Sequence, residues 1–268
     1  MLSSLEELDL SNNKLCLFCE MLKGQALRFI PALEHIDLSC NKEAGGGLTT
    51  LATNLVLLPH LRSLDMHLCC LTKEDVLEAP SLKDLRELDL SFNKSVGDTR
   101  QNLLQTLPLS QITKLPLNNC ALSTHASTAM QMLKQLERLN LSWNKCVGEN
   151  LRQFLEPLQP DCKLQELRPS SCNLTTEDVL HLESACQRGA LSHLKQLNLS
   201  YNGSVGDGGW TSLFEKAAAL KGLEELDVSL RPSASLSVSP WLPALLEALP
   251  QLSSLTRLSL QHWVLEFS

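Results

Sequence analysis

The chain has 268 residues, 62 of them leucine and only 4% aromatic, and a net charge of −7 at pH 7. It contains no lysine- and arginine-rich cluster that could neutralise a phosphate backbone, which argues against a nucleic-acid partner. No apolar run approaches the ~20 residues of a membrane span, and the N-terminus lacks the pattern of a secretion signal.

A segment of the form Leu-x-x-Leu-x-Leu-x-x-(Asn or Cys) recurs ten times. Its inward apolar positions alternate with polar ones, which predicts a short strand with one buried face in every repeat. The repeats begin at Leu5, Leu33, Leu61, Leu85, Ile112, Leu136, Leu164, Leu194, Leu223 and Leu255. The spacing between starts leaves room in each repeat for a helix that returns the chain to the next strand.

Return helices are predicted at Lys73–Leu82, Gln101–Leu107, Gly148–Leu158 and Glu177–Cys186. One repeat cannot bury its own apolar face, so stability has to come from stacking on its neighbours. The sequence therefore predicts a single α/β leucine-rich-repeat solenoid over residues 1–268. We expect a horseshoe with a curved parallel sheet on the concave face and helices on the convex face.

The ninth residue of eight repeats is Asn or Cys, and the two types alternate from the third repeat to the eighth. A parallel turn at this point leaves backbone groups facing inward, where an Asn amide can both donate to them and accept from them. A Cys offers a small apolar body and a weak donor. The predicted structural ladder consists of Asn13, Asn41, Cys69, Asn93, Cys120, Asn144, Cys172 and Asn202.

The Asn and Cys repeats leave the turn differently. Asn repeats reach a glycine four residues later, as in Asn93-Lys-Ser-Val-Gly97, whereas Cys repeats run on as in Cys172-Asn-Leu-Thr-Thr-Glu-Asp-Val179. In the latter, Thr175 is predicted to cap a helix, with Asp178 at the capping-box position.

This alternation resembles the ribonuclease-inhibitor class of leucine-rich repeats. The resemblance covers roughly the whole chain and is strongest from Leu61 to Gly209, although the Asn repeats carry one turn residue more than the usual pattern. It implies a protein-binding scaffold and nothing finer.

Some positions depart from the pattern. Pro169 lies at an inward strand position and cannot donate a hydrogen bond, so a strand bond should be missing there. Residues 231–240 are predicted to form an irregular loop, and Trp263 at the ladder position marks a degenerate last repeat. Because no polar capping repeat precedes Leu5, we expect the chain to be a fragment of a longer solenoid.

The sequence predicts no catalytic, cofactor or metal site. Nucleotide-binding and hydrolase motifs are absent. Cys16-x-x-Cys19 has no second cysteine pair to complete a zinc site, so we interpret both residues as core thiols. His35, His67 and His262 lie on strands without a carboxylate arranged as a triad, so we interpret them as surface residues. Ten cysteines spread over a long chain favour buried reduced thiols and hence a cytoplasmic protein.

The candidate binding surface is the predicted concave face. Position five carries aspartate in the first four repeats, and position eight carries an aromatic residue in alternate repeats. Adjacent strands lie ~4.8 Å apart, so the aspartates should form a column of like charge. The candidate residues are Asp9, Asp37, Asp65, Asp89, Phe92, Trp143 and Tyr201. The alternative is that Leu-Asp-Leu-Ser is merely a common sequence in such strands, and that the aromatics only cover the turn.

These observations favour a non-enzymatic scaffold that binds a protein, with a basic partner the best match to the aspartate column. One alternative is the recognition arm of a larger assembly, such as a ubiquitin-ligase substrate receptor. Another is a GTPase activator that uses a positioned Arg or Asn, although no residue is singled out for that role.

Overall fold

A computed structural model describes residues 2–14, 25–45, 48–72, 82–97, 109–131 and 133–264. These residues contain ten strands of three residues each, and every strand covers positions three to five of one repeat. The strands are β1 Glu7–Asp9, β2 His35–Asp37, β3 Ser63–Asp65, β4 Glu87–Asp89, β5 Lys114–Pro116, β6 Arg138–Asn140, β7 Glu166–Arg168, β8 Gln196–Asn198, β9 Glu225–Asp227 and β10 Arg257–Ser259.

The chain forms two compact units, Met1–Leu136 with β1 to β5 and Glu137–Ser268 with β6 to β10. Within each unit, strands adjacent in sequence pair in parallel and equivalent repeat positions lie opposite each other. Leu8 pairs with Ile36 in the first unit, for example, and Leu197 pairs with Leu226 in the second. The chain is an α/β leucine-rich-repeat solenoid, as the repeat pattern predicts.

Helices connect the strands. The α-helices in the described residues are α1 Leu48–Leu55, α2 Ser127–Met130, α3 Leu151–Leu155, α4 Thr176–Gln187, α5 Asp207–Glu215 and α6 Leu242–Ala248. The 3-10 helices are Gln25–Phe29, Leu109–Gln111, Thr124–Ala126, Lys145–Val147 and Ala217–Leu220. The predicted segment 148–158 contains the shorter α3, and 177–186 lies within α4. The predicted helix 101–107 and all of 73–82 except its last residue lie outside the described residues.

The capping box predicted for α4 is present. The Thr175 hydroxyl accepts from the Asp178 N–H, and the Asp178 carboxylate accepts the Thr175 N–H at 2.8 Å. The same carboxylate, which is 1% exposed, also accepts the backbone N–H groups of Glu149 at 2.7 Å and Leu151 at 3.1 Å. Asp178 therefore starts its own helix and also fixes the chain of the preceding repeat.

The core consists mainly of aliphatic side chains at positions one, four and six, exemplified by the fully buried Leu85, Leu88 and Leu90. The last repeats add a cluster of aromatic rings that the low aromatic content did not predict. Trp241 packs with its ring centroid 4.9 Å from Trp263, 5.4 Å from Phe214 and 6.1 Å from Trp210. All four rings are buried.

Residues 231–240 form no regular helix or strand, as predicted. Their backbone touches the last repeat through an isolated parallel bridge between Ser237 and Val264, and Val238 is fully buried. Arg231, at the ladder position of the ninth repeat, extends its guanidinium to donate to the Ser171 hydroxyl at 2.6 Å.

Pro169 interrupts the sheet as expected. Strands β7 and β8 pair at two positions, whereas β6 and β7 pair at three. At the equivalent position of another repeat, the Leu199 N–H donates to the Asp227 carbonyl at 2.8 Å. The proline has no N–H to make this bond.

The inward side chains at position nine bridge successive repeats. Asn93 is fully buried, and its Oδ1 accepts the N–H groups of Cys69 at 3.0 Å and Leu71 at 3.1 Å. Its Nδ2 donates to the carbonyls of Met66 and Leu90, both at 2.9 Å. The Asn93 amide thus bonds backbone groups of its own repeat and of the one before it.

Asn41 and Asn202 follow the same pattern, whereas Asn13 does not. Asn41 and Asn202 are buried and bridge to the preceding repeat, and the buried Asn144 donates to its own turn. Asn13, in the first repeat, is exposed. The thiols of Cys69, Cys120 and Cys172 donate to the position-six carbonyl of the preceding repeat at 3.1 to 3.2 Å.

Trp263 fills the ladder position of the tenth repeat with different chemistry. Its indole N–H donates to the Val228 carbonyl at 2.8 Å, the position-six group that an Asn amide or a Cys thiol serves in other repeats. The residue that marks the last repeat as degenerate therefore keeps the bond to the preceding repeat.

The buried thiols should make stability depend on alkaline pH. Burial raises the pKa of Cys69, Cys120, Cys172 and Cys186 to about 12. Their pKa in the unfolded chain is lower, so their contribution to stability is complete below about pH 9 and falls as pH rises towards 12. We expect the urea midpoint to drop over this window, and Cys172→Ala to make the drop shallower.

Alkylation tests separately whether Cys69 is buried. In the native protein at pH 8, iodoacetamide should modify the exposed Cys70 while Cys69 stays protected until urea is added. Equal modification of these neighbours in the folded state, measured by peptide mass spectrometry, would contradict the inward placement of Cys69.

Candidate functional site

The strand face of each unit is defined as the outward-facing side chains at positions three and five of its strands, together with those at position eight, where the chain leaves each strand. Residues at position four of most strands are buried, and those on either side of them are partly or largely exposed. This face corresponds to the one expected to be concave, and it carries the predicted aspartates.

The four aspartates lie side by side in the first unit. The strand register places Asp9 opposite Asp37, Asp37 opposite Asp65, and Asp65 opposite Asp89. We call these four residues the aspartate column. At the ~4.8 Å spacing of adjacent strands, neighbouring carboxylates repel one another.

Each carboxylate of the column also has a local role that the sequence analysis missed. Its Oδ1 accepts the backbone N–H two residues later at 2.8 to 2.9 Å, which holds the chain as it turns away from the strand. In the second unit, Asn140 and Asn198 accept the equivalent N–H with their amide oxygens at 3.0 Å. An amide can therefore form this turn, and the negative charge is not required for it.

His67 corrects one prediction. The sequence predicts a surface histidine without a carboxylate arranged as a triad, but the Nδ1 of His67 lies 2.9 Å from Asp65 Oδ1 and the residue is partly buried. Its Nε2 lies 3.4 Å from the Sγ of Cys40, in the preceding repeat. Asp65 and His67 are two residues apart, and this spacing could have revealed that their side chains leave the same side of the chain.

The carboxyl of Asp89 is partly buried and has neighbours that act on it in opposite directions. Burial raises the pKa of its carboxyl and the neighbouring Asp65 raises it further, whereas hydrogen bonds from Ser91 lower it. Asp37, Asp65 and Asp89 are partly buried, so water only partly screens this part of the column, whereas Asp9 is exposed.

The strand face of the second unit has mixed charge. Arg138 lies 3.8 Å from Glu166, Arg168 forms an ion pair with the same carboxylate, and Arg257 lies 3.6 Å from Glu225. A shallow groove of about 390 Å³ lies along β7 to β10, lined by both acidic and basic groups. The first unit also has an ion pair on its strands, between Lys114 and Glu87 at 3.3 Å, but it differs in having four aspartates side by side.

The predicted aromatics lie at position eight, where the chain leaves the strand. Phe92 is 44% exposed, Trp143 57% and Tyr201 37%. All three have positive φ, between 60° and 65°, a conformation that Asn adopts more easily than bulky residues do. Asn12 and Asn119 hold this position in other repeats, at φ 53° and 54°. The turn therefore does not require an aromatic residue.

The known proteins that resemble this chain agree with the architecture. Family profiles described as "Leucine Rich repeat" match residues 81–99 and 190–214, and one described as "Leucine Rich Repeat" matches residues 4–24. Ribonuclease inhibitor of Sus scrofa is 30% identical over 205 residues, which is 71% of this chain and 44% of that protein. NACHT, LRR and PYD domains-containing protein 12 of Homo sapiens is 33% identical over 192 residues, 67% of this chain and 18% of that protein.

A solved structure shows the same fold. The leucine-rich repeat-containing protein LegL7 of Legionella pneumophila superposes with a TM-score of 0.57 at 19% identity, covering 95% of this chain and 82% of that one.

The chain spans less than half the length of the curated relatives it matches. No helix among the described residues is long and apolar enough to cross a membrane. The repeat pattern, the strand register and the sequence relatives together place this chain in the leucine-rich-repeat family, with repeats of the ribonuclease-inhibitor type.

Proposed function

We propose that this chain is a non-enzymatic protein-binding scaffold of the cytoplasm, and that its strand face receives a partner with a basic surface. The observation that carries the proposal is the aspartate column: four carboxylates in register, in a fold whose own Asn140 and Asn198 make the same turn without charge.

The charge has a cost for the fold. Like charges on adjacent strands lower stability, and Asp89 is also partly withdrawn from water. A basic partner would neutralise the column on binding, and the field of the column would speed the first encounter. The same field repels phosphates, which supports a protein partner over a nucleic acid.

The aromatic residues supply a second kind of contact. Trp143 is the one tryptophan of four that is not in the buried ring cluster, and it is 57% exposed in a backbone conformation that suits Asn better. Tryptophan and tyrosine are common anchors of protein interfaces. Trp143 and Tyr201 would anchor a partner that binds the strand face of the second unit.

The relatives support a binding role. Leucine-rich-repeat proteins are generally scaffolds for protein interactions, and the porcine relative is named for inhibiting ribonuclease. A recognition arm of a larger assembly is the second candidate. It is favoured by the human relative, whose name joins leucine-rich repeats to NACHT and PYD domains.

The proposal can be tested with a partner captured from cell extract and then purified. Association and dissociation would be followed for the wild type and for Asp65→Asn/Asp89→Asn at several salt concentrations, with EDTA present. We expect the variant to associate more slowly and with a flatter dependence on salt, because the turn bonds remain and only the charge is lost.

A matched control removes two carboxylates from the helix side. Glu177→Gln/Glu215→Gln has the same net charge as the strand-face variant and changes exposed residues of α4 and α5. If this control slows association as much as the strand-face variant does, net charge rather than the column guides the partner.

A further inference from the structure

Three side chains of the first unit converge on one point of the strand face. Asp65 and His67 come from one repeat and Asp89 from the next, and one ligand atom from each lies within 4.8 Å of the others. All three are partly buried, which limits the water that competes for a bound ion. The column alone would be a row of acidic residues, and the imidazole makes it a mixed nitrogen and oxygen donor set.

The donor set selects a class of ion. Mg²⁺ and Ca²⁺ prefer all-oxygen sites, whereas an imidazole with carboxylates suits divalent ions such as Zn²⁺, with water in the remaining position. Ligand atoms around an ion held at ~2.1 Å lie roughly 3.4 Å apart, so small side-chain rotations would close the site. Asp65 and Asp89 sit on paired strands, which hold their backbones at a fixed spacing.

We propose that Asp65, His67 and Asp89 form a binding site for a divalent transition-metal ion, with Zn²⁺ as the ion that best fits the donor set. The ion would offset the repulsion between Asp65 and Asp89 and would take the place of the hydrogen bond between His67 and Asp65. The site needs neither a partner protein nor the proposed binding role of the strand face.

Cys40 suggests an alternative role for His67, as a general base for a reactive thiol. The charges around the ring disfavour this role. The Cys40 Sγ, the His67 ring and the Asp65 carboxylate lie in sequence, each in contact with the next. A catalytic thiol, its general base and the acid that orients the base are arranged in the same way. A reactive thiolate requires electropositive surroundings, but here two carboxylates lie beside the ring. We therefore assign Cys40 no nucleophile role, and it is not among the three residues whose ligand atoms converge.

Titration of the reduced full chain with ZnCl₂, followed by calorimetry, tests the site. The wild type should bind one more equivalent of Zn²⁺ than His67→Gln does, and His35→Gln, which changes an exposed histidine of β2, should keep that equivalent. Asp89→Asn keeps an acceptor for the turn but removes a charged ligand. The affinity for this Zn²⁺ should therefore fall at least roughly 10-fold, which is the loss that removal of an outer-shell partner already causes. Cys40→Ser should bind it within twofold of the wild type.

Thermal unfolding separates loss of the site from loss of the fold. Zn²⁺ should raise the midpoint of the wild type and of His35→Gln but not that of His67→Gln, whose metal-free midpoint should match the wild type. Equal Zn²⁺ stoichiometry in the wild type and His67→Gln would overturn the proposal. Loss of the equivalent in Cys40→Ser would overturn the three-ligand assignment.

Discussion

Asp178→Ala is expected to lower the free energy of unfolding by about 3–5 kcal/mol, because several backbone N–H groups lose a charged acceptor in a buried place. The groups left without it belong to Glu149, Leu151 and Thr175, so both the start of α4 and the preceding repeat are affected. Urea unfolding followed by circular dichroism measures the change.

Asp207→Ala is the matched control for Asp178→Ala. Asp207 begins α5, where the N-cap Gly206 makes no side-chain capping bond, and its side chain is exposed. Its removal should cost no more than about 0.3–1 kcal/mol, the usual effect of one acidic residue at an exposed helix start. Similar losses in the two variants would show that Asp178 acts only as a helix-start charge.

Asn93→Ala should be the next most damaging change, with a loss of about 2–4 kcal/mol. The alanine would leave the N–H groups of Cys69 and Leu71 without an acceptor and the carbonyl of Met66 without a donor, and each buried unsatisfied group costs about 1–3 kcal/mol.

Cys69→Ala provides the comparison within the same ladder. The Cys69 thiol makes weak donor contacts with the carbonyls of Leu38 and His67, so alanine should cost about 1 kcal/mol. If the two substitutions give the same urea midpoint, the amides of the ladder do not hold successive repeats together.

The strand positions could be predicted because the signal is local and repeated. Leucine at positions one, four and six determines which side of each strand is buried, and the structure has a strand at positions three to five of every repeat. The helix cap at Thr175 was predictable for the same reason, since its partner Asp178 is only three residues away.

Contacts between distant residues were harder to predict. The aromatic cluster joins Trp210 of α5, Trp241 at the N-cap of α6 and Trp263 at a ladder position. No periodicity links these three residues. The bond from the Glu149 N–H to Asp178 depends on how two repeats stack. The spacing of the repeats in the sequence does not reveal this stacking.

The candidate site was predictable in part. The register of the aspartate column followed from the repeat period, and the exposure of Trp143 followed from its place in the turn. The approach of His67 to Asp89 depends on side-chain rotamers across two strands. The double role of the aspartates was missed because position five was treated as surface only.

The central claim is that the strand face binds the partner, and the dissociation rate of a captured partner tests it most directly. The variant Trp143→Asn/Tyr201→Asn places at position eight the residue that Asn12 and Asn119 already supply there. We expect its fold to be at least as stable as the wild type and the partner to leave at least tenfold faster, as loss of an anchor worth about 2 kcal/mol implies. The helix-side variant Glu177→Gln/Glu215→Gln should release the partner at the wild-type rate. Unchanged dissociation from the aromatic variant together with faster dissociation from the helix-side variant would contradict the claim and place the binding surface on the helices.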